Sequence, residues 1–464
     1  LGVFFPTILL IIWRPFGINE SIPTVVSAIL VFFLGLVSIN DIGNILGIVT
    51  GASITILSTI VMSIVLESFG FFRWAAFNLA SKAKGSGIKL YWYIVALCFF
   101  MTMFFNNDGS ILITTPIIIQ IVQALELKPH QKLPYLIGGA LVATASSAPI
   151  GVSNLANLIA LEIVGLDLNT YATLMFLPSL IGILSICFLI LGCFEVAIPQ
   201  KIYCIPHSAV NDMVIPPHPP LHKNNITPPK PVLKEKLHLP KTAHLPPKPT
   251  KAVDWWMFRV CILVVILTRA SFFVLSGFGI PIEWIAIVGA LLLIGIRWIR
   301  QGIGPNDVLR KTPWHIIVFA FSMYVIVYGL HNTGLTSMIV NLCQDPVSAN
   351  HLNACFIIGF LLTAMSNLFN NLPSVMIGTL SLTEMGLDPH TLHIAYLANI
   401  IGSDIGALIT PMGTLASLIW IFILRQHKIH ITWRQYLKVT VRVIPIGLIS
   451  SLLSLYLWSE WLMK

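Results

Sequence analysis

Phe104-Phe-Asn-Asn-Asp-Gly109 and Leu368-Phe-Asn-Asn-Leu-Pro373 are two near-copies of one motif, set far apart in the chain. Each lies in strongly apolar sequence, where a pair of amides needs hydrogen-bond partners and the Gly or Pro that follows interrupts a helix. Interrupted apolar segments at matching places in two halves are the sequence sign of a binding site in a secondary carrier built from inverted repeats. The motif therefore predicts an all-α polytopic membrane protein with two inverted repeats of about five transmembrane helices, each with a re-entrant hairpin and a broken helix.

Composition points the same way. Hydrophobic residues make up 56% of the chain and charged residues 10%. Many apolar runs are long enough to cross a bilayer, so a soluble core cannot absorb them and the lipid bilayer is the first partner. The net charge of +9 comes from Lys and Arg in the loops, so no nucleic-acid partner is expected. The chain starts at the apolar Leu1 without an initiator Met, so residues ahead of it are expected to be missing. The seven cysteines form no CxxC pair and mostly fall in apolar runs, which reads as buried thiols and not as a disulfide or metal framework.

The only long polar stretch is crowded with Pro, Lys and His and cannot bury enough apolar surface to fold. It divides the chain into an N-terminal transmembrane repeat (1–198), a linker (199–254) and a C-terminal transmembrane repeat (255–464). Spans are read, among others, over Leu46 to Phe69, Leu90 to Phe105, Gly109 to Leu125, Asn353 to Phe369 and Thr391 to Ile423. A cytoplasmic linker places Arg73, Lys89, Lys128, Arg297, Arg310, Arg425 and Lys438 on the cytoplasmic side. Asp41, Asp167, Asp345, Glu384 and Asp388 then lie outside, as the positive-inside rule requires. The linker histidines His207, His218, His222, His238 and His244 are irregularly spaced between prolines, so no metal site is expected there. With no GxxxxGK[ST] loop, energy must come from an ion gradient or an associated subunit.

Four polar segments are expected to converge on the solute. The first holds Asn106, Asn107, Asp108 and Gly109. The second is Thr144-Ala-Ser-Ser-Ala-Pro-Ile-Gly-Val-Ser-Asn154, with Ser146, Ser147, Ser153 and Asn154 as candidate ligands. The third runs from Ser366 and Asn367 to Asn370 and Asn371. The fourth is Gly402-Ser-Asp-Ile-Gly406 with Thr410-Pro-Met-Gly-Thr414, whose candidates are Ser403, Thr410, Gly413 and Thr414. Neutral amides and hydroxyls, with backbone freed by Gly and Pro, suit a small polyhydroxy solute or a dehydrated ion. The two breaks also align, Ser153-Asn-Leu-Ala-Asn-Leu-Ile159 with Gly413-Thr-Leu-Ala-Ser-Leu-Ile419. Asp108 and Asp404 are the carboxylates of these segments. A carboxyl group in a poorly hydrated cavity can exchange a proton as access alternates, so both are candidates for proton coupling, with a structural cap as the competing role. No Ser/His/Asp arrangement, cofactor motif or metal set appears in the four segments, so an enzyme is not expected.

At these residues the chain resembles the bacterial arsenite/antimonite efflux permeases, the arsenical pump membrane proteins of the ion transporter superfamily. The likeness is carried by both Asn-Asn tips, by Ser153-Asn-Leu-Ala-Asn157 and by Ala398 through Trp420, and it spans the chain apart from the linker. It implies efflux of trivalent arsenic and antimony hydroxides across the bacterial plasma membrane, driven by the proton gradient or membrane potential. It also implies, in some members, a soluble arsenite-stimulated ATPase subunit, and a homodimer is a further expected partner. The chain departs from the family pattern at Ala407-Leu408, where relatives carry Pro-Lys, and near Ala143, where they carry an acid. Carboxylate symporters and Na⁺/H⁺ antiporters of the same superfamily are the alternatives. The absence of Lys and Arg from the four segments favours a neutral solute.

Overall fold

The computed structural model describes residues 1–13, 18–202 and 254–462. Its first half runs through α1 (Phe4–Trp13), α2 (Ser21–Phe33), α3 (Ile39–Ser68), α4 (Phe71–Lys82), α5 (Gly87–Phe104), α6 (Asn107–Ala124), α7 (Pro129–Ala145), α8 (Leu155–Val164) and α9 (Leu168–Cys193). The second half runs through α10 (Trp255–Ser276), α11 (Ile282–Gln301), α12 (Asn306–Lys311), α13 (His315–Asn332), α14 (Leu335–Ser348), α15 (His351–Phe369), α16 (Asn371–Glu384), α17 (Pro389–Asp404), α18 (Leu415–Gln426) and α19 (Trp433–Leu462). Among the described residues no strand occurs, and nine helices are long and apolar enough to cross a membrane. The protein is a multi-pass membrane protein. The linker lies outside the described residues except for 199–202 and Asp254.

Local chemistry fixes the interruptions. α5 ends at Phe104 and α6 restarts at Asn107, with the Asn106 side chain accepting the Gly109 N–H at 2.8 Å as an N-cap. α15 and α16 meet in the same way around Asn370. All four tip asparagines are buried, which the tip of an ordinary aqueous turn would not be. The broken helices are α7 with α8 and α17 with α18, where short 3₁₀ turns at Gly151–Ser153 and Gly406–Ile409 bridge the gaps. Asn154 and Thr414 cap the helices that restart, at the positions the sequence alignment pairs. α3 begins earlier than hydropathy suggests because Ser38 and Asp41 form a capping box.

The halves interlock. α2 packs on α13 and α11 packs on α3, while α6 packs on α18 and α16 packs on α8, so each contact has a counterpart with the halves exchanged. α9 and α19 hold the same place in their halves and pack together along their length. Trp458 bonds the Thr173 carbonyl, Ser451 bonds that of Pro178, and Gly447 lies against Ile186, so the two helices run antiparallel, as an inverted relation requires.

Candidate functional site

The most connected buried acid is the carboxyl group of Asp404, 1% exposed, at the last residue of α17. Three donors from the other half reach it. Ser147 Oγ lies 2.7 Å from Oδ2, Asn157 Nδ2 lies 2.7 Å from Oδ2, and Asn154 Nδ2 lies 2.9 Å from Oδ1. Asn154 is the N-cap of α8 and Asn157 sits in its first turn, so the acid of one broken helix faces the start of the other half's restarted helix. A buried acceptor-only group ringed by donors is satisfied, and the three bonds cross between the halves. By the same alignment the place of Asp404 in the first half is taken by Thr144, so this centre carries one acid and not a symmetric pair.

The other expected residues divide into two groups. Ser146 and Ser403 turn their hydroxyls back to the Val142 and Ile400 carbonyls of their own helices, and Thr414 bonds Ser417, so these side chains shape the breaks. Ser153 reaches the Met103 carbonyl at 3.5 Å, tying the first break to the end of α5. Thr410 donates its N–H to Asn367 Oδ1 at 2.7 Å, and Asn367 in turn donates to the Thr363 and Gly406 carbonyls, which clamps the second break to α15. Two glycines are required by space. A Cβ at Gly109 would sit 2.4 Å from Asn106 Oδ1, and one at Gly413 would sit 1.9 Å from the Ala407 carbonyl oxygen.

The tips supply the groups left over. Asn107 uses Oδ1 for the Asp108 N–H at 2.8 Å, which leaves its Nδ2 without a partner among the described residues. Asn371, its counterpart, makes no side-chain hydrogen bond among them, and the half-buried Asp108 carboxyl accepts none. Asn370 bonds the Met412 carbonyl at 3.2 Å and stands at φ 77°, ψ 156°, a region nearly confined to glycine that stores about 1–3 kcal/mol of strain. Asn106 stands in ordinary extended geometry, so the two tips are chemically alike and mechanically different.

Two residues that the structure places at these segments escape the sequence reading. Asn157 was visible as the partner of Ser417 in the repeat, but its contact with Asp404 depends on the second half. Arg269, on α10, is 6% exposed and donates to the Phe104 and Phe105 carbonyls at the first tip. The four segments do lack Lys and Arg, yet the fold brings a cation to one of them. The run Trp255–Ser276 carries two arginines, Arg259 in its second turn and Arg269 deep in its apolar interior, and the second was the available signal. Among the described residues no group of three or more His, Cys, Asp or Glu side chains could hold a metal.

A family model described as Citrate transporter matches residues 8–402. A Bacillus subtilis (strain 168) protein, provisionally described as an arsenical pump membrane protein, is 46% identical over 99% of each chain. An Escherichia coli arsenical pump membrane protein is 32% identical over 94% of this chain and 93% of its own. Among solved structures, the YdaH transporter of Alcanivorax borkumensis shares the fold, with a TM-score of 0.52 and 9% identity, over 92% of this chain and 90% of its own. The chain therefore belongs to the citrate transporter family and stands within it beside the arsenical pump membrane proteins.

Proposed function

We propose that this protein is a secondary active transporter that exports arsenite and antimonite from the cytoplasm, coupled to the proton gradient or the membrane potential. The observation that carries the reading is the polar centre at Asp404, whose partners come from the opposite half, beside two tips whose second asparagines have, among the described residues, no partner for the Asn107 Nδ2 and none for the Asn371 amide. At neutral pH arsenite and antimonite are mainly uncharged trihydroxides, which amides and hydroxyls bind without a compensating charge. The arsenical pump relatives give the solute class its independent support.

Asn107 and Asn371 receive the solute's hydroxyls in this account. Asp404 takes and releases the proton as the halves move against each other, since its hydrogen bonds must break or shift in that motion. Asp108, next to the first tip, is the second candidate for coupling. The repeats at 1–198 and 255–464 are the two moving units, the linker is cytoplasmic, and the loops carrying Asp167 and Asp345 are external. No nucleophile, cofactor or catalytic triad enters the account, and the protein acts as a carrier and not as an enzyme. A soluble ATPase subunit and a second copy of the chain are the partners it allows.

A carboxylate symporter is the second reading, favoured by the buried Arg269 beside the first tip and by the family description. Expression in a bacterial strain lacking its own metalloid efflux system tests the first reading. Raised resistance to arsenite and antimonite, with lowered cellular accumulation, supports it. Unchanged resistance at normal membrane expression overturns it.

A further inference from the structure

We propose that Arg269 is a positioning residue, the latch that sets the first hairpin tip, and that the two tips are held by unlike means. The Arg269 side chain crosses from α10, in the second half, to the broken end of α5, in the first. Nε donates to the Phe104 carbonyl at 2.6 Å and Nη2 donates to that of Phe105. With Ser153 Oγ 3.5 Å from the Met103 carbonyl, three successive carbonyls at this helix end have donors. A helix ending inside the protein leaves its last carbonyls without partners and carries partial negative charge, and a guanidinium answers both needs. Its planar fork spans two carbonyls at once, which an ammonium cannot do in the same geometry. The ring of Phe272 lies 5.3 Å from the guanidinium carbon and completes the seat.

The burial is costly. Among the described residues Arg269 has no ion-pair partner, and its Nη1 has no hydrogen-bond partner. An unpaired buried charge destabilises unless what it holds returns the loss, and here it holds the segment that presents Asn106, Asn107 and Asp108. The opposite tip is held by the first helix of the other half as well, but through rings. Phe4 and Phe5 of α1 stack edge-on against Phe369, at 5.5 and 5.7 Å. An ion–carbonyl clamp depends on direction and breaks abruptly, whereas an aromatic contact tolerates sliding. The first tip is therefore fixed to the opposite half by directional bonds, whereas the second meets the opposite half through rings that tolerate sliding and keeps its directional bonds, Asn370 to Met412 and Asn367 to Gly406, within its own half.

The functional consequence rests on the reading of Asn107 as a solute ligand, so the test separates latch from ligand. Hydrogen–deuterium exchange on the purified full chain reports each tip directly. Arg269→Met should raise amide exchange around residues 103–112 by about tenfold or more, the loss expected for charge-assisted bonds, and leave residues 366–376 unchanged. Phe4→Ala should do the reverse, and Arg269→Lys should fall between Met and wild type. In proteoliposomes Arg269→Met should raise the KM for antimonite more than it lowers kcat, with partial rescue by Lys. Unchanged exchange at the first tip, or an equal rise at both tips, overturns the latch. A loosened first tip with unaltered KM upholds the latch and removes Asn107 from the solute site.

Discussion

Replacing Asp404 by Asn keeps the shape of the side chain and exchanges an acceptor pair for one acceptor and one donor. Ser147 and Asn157 both point at Oδ2, and Asn154 points at Oδ1. If the new carbonyl oxygen serves Ser147 and Asn157, its NH₂ faces the NH₂ of Asn154. Asn154 cannot flip to answer it, because its Oδ1 already accepts the Ala156 N–H at 3.1 Å as the cap of α8. At least one buried donor is left unpartnered, at a cost of about 1–3 kcal/mol, before the loss of charge from the remaining bonds is counted. Those bonds join the halves, so the cost falls on the state seen here. The account predicts a lower apparent unfolding temperature in detergent for Asp404→Asn. In proteoliposomes it predicts that downhill exchange of antimonite persists while accumulation against a gradient is lost. Concentrative, normally pH-dependent transport by Asp404→Asn would refute the reasoning and move coupling to Asp108 or to the membrane potential alone.

Three further outcomes are expected. Asn107→Ala and Asn371→Ala should each abolish metalloid transport with little change in membrane expression, because among the described residues the Asn371 amide makes no hydrogen bond and the Asn107 amide only the local one to the Asp108 N–H; resistance conferred by the double variant would make the tips purely structural. A cysteine-free variant should keep most of its transport activity, since Cys98, Cys187, Cys261, Cys343 and Cys355 are buried and no cysteine lies in the four polar segments; lost transport at normal expression would favour thiolate chelation of the metalloid. Asp388, the N-cap of α17, has its carboxyl held below the usual range by the side-chain hydrogen bond of Thr391 and by the backbone N–H groups of Thr391 and His390. A depressed value means stability present above the ordinary carboxylate range and lost as the pH falls through the folded value. As the loss of an N-cap, Asp388→Ala should cost about 1 kcal/mol at pH 7, and thermal scans of variant and wild type should draw together only as the pH falls below the ordinary carboxylate value of about 3.9.

The tips and breaks were legible in the sequence because an amide, Gly or Pro in apolar surroundings is costly, and the chain keeps such residues only where partners wait. That argument located Asn106, Asn370, Asn154, Thr414 and Asp404, and the repeat alignment gave the equivalence of the two breaks. It could not tell Ser147, whose hydroxyl lies 2.7 Å from both Asp404 and the Thr144 carbonyl, from Ser146, one residue earlier, which reaches only the Val142 carbonyl of its own helix, because the difference is a rotation of one residue on the helix end. Nor could local sequence show that Asp404 is served from the other half, since the three bonds join residues far apart in the chain. α4, α12 and α14 fell between the spans read from hydropathy, as short or partly polar helices do. Arg269 is the instructive omission: the four segments hold the polar residues that apolar surroundings make conspicuous, while the charge bonded to one of them arrives from a separate span of high mean hydropathy.

Solute uptake into proteoliposomes containing only the purified protein tests the central claim most directly. Under an imposed gradient the account predicts saturable antimonite uptake that arsenite inhibits, citrate leaves unchanged, and Asn107→Ala with Asn371→Ala eliminates. Saturable citrate uptake with no antimonite transport would contradict it.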